Sequence, residues 1–183
     1  MHKFLKYFEI PVTGLKQGIH SFDFEVKREF FTHFDFDEFE DAQITARLDV
    51  DKSSTMMVMT FTFGGFINVP CDLCGDVFNL QIDNEFRLIG KFSHQQGDDN
   101  DEIIHIPYDE SRLNIAQYLY EFILLATPAK RVHKTNECNP EALAKLKEFI
   151  VDSPTKKLDE DEMAEEEDNK TVWELLKKLK NDN

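Results

Sequence analysis

Ile44-Thr45-Ala46-Arg47-Leu48-Asp49-Val50 alternates apolar and polar side chains without a break, and Phe78-Asn79-Leu80-Gln81-Ile82-Asp83 does the same. A period of two turns one set of side chains to a core and the other to water, which is the signature of a half-buried strand. Working outward, runs rich in Phe, Val, Ile and Thr predict strands over 4–10, 18–26, 44–51, 56–69 and 77–92. Gly64-Gly65 interrupts the run over 56–69 between Phe63 and Phe66, and predicts a bulge or bend at which a sheet curls. The second half changes period. Ile115, Leu119, Phe122, Ile123 and Ala126 recur at three and four, Asn114 stands where a helix cap belongs, and Pro128 stops the run. Asn139-Pro140 opens a second helix carrying Leu143, Leu146, Phe149 and Ile150 near one face. The expected fold is α+β: a curved, mainly antiparallel sheet, at its most closed a partly open barrel, with a helical C-terminal half.

The chain has 183 residues, enough for one domain with a real core, and its 17 Phe against 4 Tyr and 1 Trp suit a core of large rings. Its charge is uneven. Residues 1–151 carry ten net negative charges and read as a single folded domain; residues 152–168 carry seven with almost nothing apolar and read as a solvated acidic linker. Residues 169–183 reverse to two net positive charges. There Thr171-Val172-Trp173-Glu174 forms a capping box, and Val172, Trp173, Leu176 and Leu179 form an apolar stripe on a short helix that must dock on something to be stable. A formal net charge of -15 speaks against a broad nucleic-acid face, because phosphate binding is dominated by Lys and Arg. With no secretory h-region and no apolar run near the ~20 residues a bilayer requires, the expected location is the cytoplasm.

Cys71-Asp72-Leu73-Cys74-Gly75 is C-x-x-C followed by glycine, entered through Val69-Pro70, the shape of a zinc knuckle. A knuckle supplies two ligands. His133 and Cys138, five residues apart, make up a Cys3His set that uses every thiol in the chain; the competing reading is a strand turn with small buried cysteines. Redox chemistry at the same motif requires a thiol of lowered pKa, and Asp72 and Asp76 are of the sign that raises it. Lys130, Arg131 and Lys134 form the one cationic cluster of the main domain, a candidate RNA contact or a complement to the preceding helix end. The acidic run 98–102 lacks the spacing of a calcium loop and reads as a solvated hairpin tip. No G-x-S-x-G, G-x-x-x-x-G-K-[ST], G-x-G-x-x-G or H-E-x-x-H motif occurs, and His20, His33, His94 and His105 stand singly, so no catalytic residue is assigned and no small-molecule substrate is inferred.

The ordered set Val69-Pro70-Cys71-x-x-Cys74, a strand, an acidic stretch into Leu113-Asn114-Ile115, then Phe122-Ile123-Leu124-Leu125-Ala126-Thr127-Pro128, His133, Cys138 and the closing Leu175-Leu176-Lys177-Lys178-Leu179 resembles the YceD-like family of large ribosomal RNA subunit accumulation proteins. The resemblance implies a bacterial cytoplasmic factor needed for normal accumulation of large-subunit ribosomal RNA, and it strengthens the zinc reading. The expected function is therefore a non-enzymatic ribosome-biogenesis factor, whose partner is a ribosomal RNA precursor or a basic ribosomal protein. Two rivals remain open at this point: a zinc-stabilised protein that binds RNA directly through Lys130, Arg131 and Lys134, and a metal- or thiol-dependent nuclease.

Overall fold

The computed structural model describes residues 2–93, 102–134 and 137–149. The predicted linker over 152–168 and the predicted helix with Val172, Trp173, Leu176 and Leu179 lie outside the described residues. Residues 1–143 form one compact unit, and the second begins at Ala144, within the helix over 140–149.

The alternating stretches become long neighbouring strands. β2 (Gly18–Lys27), β3 (Asp41–Lys52), β4 (Met56–Pro70), β5 (Val77–Ser93) and β6 (Ile103–Pro107) make a five-stranded sheet in the order β2-β3-β4-β5-β6. The first three pairings are antiparallel and β5 pairs with β6 in parallel. Along β3 the even residues Ala42, Ile44, Ala46, Leu48 and Val50 are buried, and along β4 the odd residues Met57, Met59, Phe61, Phe63, Ile67 and Val69 are. The register places Ala46 opposite Phe63 and Leu48 opposite Phe61, so one face of the sheet is continuous core and the other is polar. A second sheet pairs β1 (Glu9–Pro11) with β7 (Arg112–Asn114).

Helices close the core. α2 (Arg28–Thr32) delivers Phe30 and Phe31, both buried, and α3 (Ala116–Ala126) packs its Phe122 ring on Phe86 at 4.9 Å, stacked, and on Phe61 at 5.2 Å, edge-on. Each such ring contributes roughly 1.5–3 kcal/mol of burial, and ring pairing adds to it. Asn114 Oδ1 accepts the Ala116 N–H at 2.9 Å at the start of α3. α4 (Pro140–Phe149) follows Asn139, whose Oδ1 accepts the Glu141 N–H at 3.0 Å.

Five expectations are corrected. The fold is mainly β rather than α+β with a helical C-terminal half: the described part of that half holds strands β6 and β7 and only two short helices, of 11 and 10 residues. β6 is the Ile103-Ile104-His105-Ile106 run, whose branched side chains favour a strand too short to declare itself by periodicity. No partly open barrel forms, since β2 and β6 end the sheet at opposite edges. The predicted strand over 4–10 is instead helix α1 (His2–Leu5), a 3-10 turn (Lys6–Phe8) and only then β1. Phe4, Tyr7 and Phe8 are three and four apart, the helical spacing, and the Phe4 and Phe8 rings meet at 5.6 Å. Finally, β3 and β4 stay in register past Gly64 and Gly65 with no bulge, and the parallel pairing of β5 with β6 means that the connection between them is not a hairpin. Among the described residues no helix is long and apolar enough to cross a membrane.

Candidate metal centre

β4 and β5 pair up to Pro70 opposite Val77, leaving 71–76 as the tip of their hairpin. The tip is tied by its own backbone: the Cys71 N–H donates to Asp76 O at 2.9 Å and the Gly75 N–H to Cys71 O at 2.9 Å. Gly75 sits at φ 80, a left-handed conformation that glycine adopts without steric cost. This turn aims Cys71 and Cys74 the same way.

The segment after α3 comes to meet them. The Asp72 N–H donates to Arg131 O at 2.7 Å, and Asp72 Oδ2 accepts the Arg131 N–H at 2.6 Å, a reciprocal strap across 59 residues of sequence. Arg131 Nη1 reaches Glu38 Oε2 at 3.2 Å, and the His133 ring lies 4.6 Å from that of Phe78 on β5. His133 and Cys138 are thereby held over the hairpin tip.

The four donor atoms of Cys71, Cys74, His133 and Cys138 all lie within 4.8 Å of one another. Cys71 Sγ is 3.7 Å from Cys138 Sγ, Cys74 Sγ is 3.4 Å from His133 Nδ1, and Cys138 Sγ is 3.6 Å from the same nitrogen. A disulfide, at about 2.05 Å, is excluded at this separation, and the cysteines are free. A zinc tetrahedron with sulfur at about 2.3 Å and nitrogen at about 2.0–2.1 Å has edges of about 3.8 Å between sulfurs and about 3.6 Å between sulfur and nitrogen. The three spacings of 3.4–3.7 Å match those edges, and the remaining ones stay within 4.8 Å. The donor set, three thiols and an imidazole, fits as well, and the cluster can hold a metal ion.

Two thiols of the cluster, those of Cys71 and Cys138, are shifted in opposite directions. Burial pushes the Cys71 thiol up, but the backbone N–H groups of His133, Leu73 and Cys74 and the His133 side chain, all bonded to its sulfur, outweigh it and lower its pKa to about 6. Burial raises Cys138 to about 11, with hydrogen bonds that its thiol donates to the Cys71 and Cys74 sulfurs, and their negative charge, adding to the effect. The low value of Cys71 departs from what Asp72 and Asp76 lead one to expect; the turn's own N–H groups, which no side-chain inventory displays, decide it.

Of the cationic cluster, Lys130 and Lys134 are exposed, whereas Arg131 is half-buried and engaged with Glu38. Sequence reasoning did not single out Phe78 and Glu38 as site residues, and it weighed Asp72 only for its charge. An Asp inside a turn, ready to accept a main-chain N–H, was the available signal. Replacing Asp72 with alanine is expected to cost about 1–2 kcal/mol in urea denaturation, while Asp72→Asn keeps an acceptor oxygen and loses less than half of that. Equal losses would mean that the strap is not what positions His133.

None of the curated proteins and none of the solved structures compared with the chain matches it. A family model does, over residues 59–180, a span that begins inside β4 and takes in all four donors. Its description is large ribosomal RNA subunit accumulation protein YceD, and because the match covers about two thirds of the 183 residues, the chain belongs to the YceD family.

Proposed function

We propose that this protein is a non-enzymatic factor that supports the accumulation or processing of large-subunit ribosomal RNA in the cytoplasm, with one zinc bound by Cys71, Cys74, His133 and Cys138. The observation that carries the reading is the closed donor set. A catalytic zinc keeps one position for water or substrate, whereas a structural zinc takes four protein ligands, and four protein donors gathered within 4.8 Å of one another belong to the second kind. Zinc there joins the β4–β5 hairpin tip to the segment after α3 and supplies rigidity rather than chemistry. His133 turns Nδ1 to the cluster, so it is not available as a general base, which argues against the nuclease reading.

A chain with 36 acidic and 21 basic residues attracts basic ribosomal proteins more readily than RNA phosphates. The partner in this reading is therefore a basic ribosomal protein or a pre-ribosomal particle that displays one. Direct RNA binding through Lys130 and Lys134 is the weaker alternative, because Arg131 is committed to Glu38. Purified full-length protein is expected to co-sediment with free large subunits at low salt and to dissociate as salt rises, with Lys130→Glu/Lys134→Glu behaving as the parent does. Failure to co-sediment at any salt sinks the partner assignment. Loss of co-sedimentation in the double variant would move it to RNA.

A further inference from the structure

β2 is the ten-residue strand at one end of the five-stranded sheet, and its register with β3 runs from Gly18 to Lys27 without a bulge. Among the described residues, no backbone hydrogen bond joins its other edge. Such an edge is ordinarily blunted by proline, by a bulge, by a covering segment or by lysine. β2 has no proline, its mid-strand charges are the carboxylates of Asp23 and Glu25, and its one lysine, Lys27, pairs with Glu25 at 3.3 Å at the strand's end. Ile19 at the other end is 76% exposed.

Both sides of this edge are hollow near Glu25. Beside the N-terminal turn and α2, a pocket of about 300 Å³ is lined by the rings of Phe4, Tyr7, Phe8 and Phe30 and by the charged Glu25, Lys27 and Glu29, with Tyr7 54% exposed. On the polar side, a depression of about 420 Å³ opens where Gly64 and Gly65 carry no side chain, and Glu25 again forms part of its wall. A strand laid along β2 sends successive side chains to opposite faces. One set then meets Asp23 and Glu25, and the other meets the Tyr7 rim of the ring-lined cavity.

We propose that the free edge of β2 binds an extended segment of a basic protein, alternating Arg or Lys with apolar residues, as a sixth strand of the sheet. This rests on the reading above that the partner is basic, and it gives that partner a place and a conformation. Main-chain hydrogen bonds supply affinity and the alternate side chains supply selection, as in other strand-addition complexes. A second copy of the chain is disfavoured on this edge, because it would bring Asp23 and Glu25 against carboxylates of its own kind. RNA is disfavoured by the same charges.

The probe is a fluorescein-labelled octapeptide of alternating arginine and valine, titrated into the full-length protein and read by anisotropy. Its comparators are two peptides of the same sequence N-methylated on one or the other set of alternate amides. At least one of the two is expected to bind about tenfold more weakly, because it keeps the charge but loses the edge hydrogen bonds. Asp23→Lys is expected to weaken binding of the parent peptide by about tenfold or more, and Asp109→Lys, the same change of charge on an exposed turn, by less than about threefold. Amide exchange within β2 should slow on binding, and that within β6 should not. The proposal is overturned if both methylated peptides bind as the parent does, if Asp109→Lys is as damaging as Asp23→Lys, if protection appears on β6 instead, or if no binding occurs at low salt. The outcomes separate the two claims. Peptide binding on β2 without co-sedimentation leaves this inference standing and removes the ribosomal partner, while co-sedimentation unaffected by Asp23→Lys, with no peptide binding, does the reverse.

Discussion

Full-length protein prepared without a tag is expected to contain one zinc per chain by mass spectrometry, and Cys71→Ser/Cys74→Ser protein to contain none. A zinc held by these four donors would balance the charge of their thiolate sulfurs, and the lowered pKa of Cys71 favours that form at its own position. Zinc-finger peptides derive about 10–16 kcal/mol from such a site and are unfolded without it. This chain should behave differently. Its core is built from β2 to β6 and α3, and the metal cluster lies at the end of the β4–β5 hairpin, so chelation is expected to leave the sheet's circular dichroism in place. What fails is local: exchange protection at the Cys71 and Gly75 amides disappears, and a loss of about 3 kcal/mol lowers Tm by about 6–12 °C. Metal-free protein with unchanged Tm and freely titrating thiols would reduce the cluster to ordinary turn cysteines and remove the argument for a structural, non-catalytic centre.

The hairpin tip and the donors gathered at it were legible in the sequence because they are local or countable. Cys71, Cys74 and Gly75 form a five-residue motif, and His133 with Cys138 completes the thiol count. The long strands were legible for a related reason: residues 44–50 alternate strictly, and a period of two over seven residues has one reading. What was not legible depends on partners far apart in the chain. The strap between Asp72 and Arg131 spans 59 residues, and the N–H groups that set the pKa of Cys71 belong to every sequence alike. The N-terminal segment was misread because Phe and Tyr favour strands by composition, while the spacing of Phe4, Tyr7 and Phe8 favours a helical turn, and burial of the rings beside Phe24 and Phe30 chose the spacing. Strands β6 and β7 were missed because five and three residues are too few to show a period; the first exists as a parallel neighbour of β5 and the second as the partner of β1.

Gly65→Ala is expected to cost about 2–6 kcal/mol, while Gly64→Ala is expected to be neutral or to stabilise by up to about 1 kcal/mol. The two glycines are adjacent in one strand and look equivalent in sequence. Gly65 sits at φ 148, where a side chain is strained, and a methyl group there would press into the Gln43 carbonyl oxygen and come within 2.8 Å of the Ile44 Cα. Those are main-chain atoms of β3 in a continuous ladder, with Gln43 paired to Phe66 and Ile44 to Gly65, so they yield only if the ladder opens. A methyl group on Gly64 meets nothing within 4 Å. Its addition also removes backbone freedom from the unfolded chain, which is the source of the small gain. The pair explains the absence of a bulge: where sequence reasoning assigned Gly64-Gly65 to a break, Gly65 instead allows β3 to approach so closely that the register continues unbroken through Asp41 opposite Asn68. That continuity carries β4 on to Pro70 and the cysteine turn, so the effect reaches the site. Urea denaturation of the two single variants decides the matter, with a fall in Tm of about 4–24 °C for Gly65→Ala as the thermal counterpart. Equal stabilities would mean that β3 does not approach Gly65 as described. A loss confined to zinc content, with the sheet intact, would instead place the strain in the hairpin's reach toward Cys71 rather than in the ladder itself.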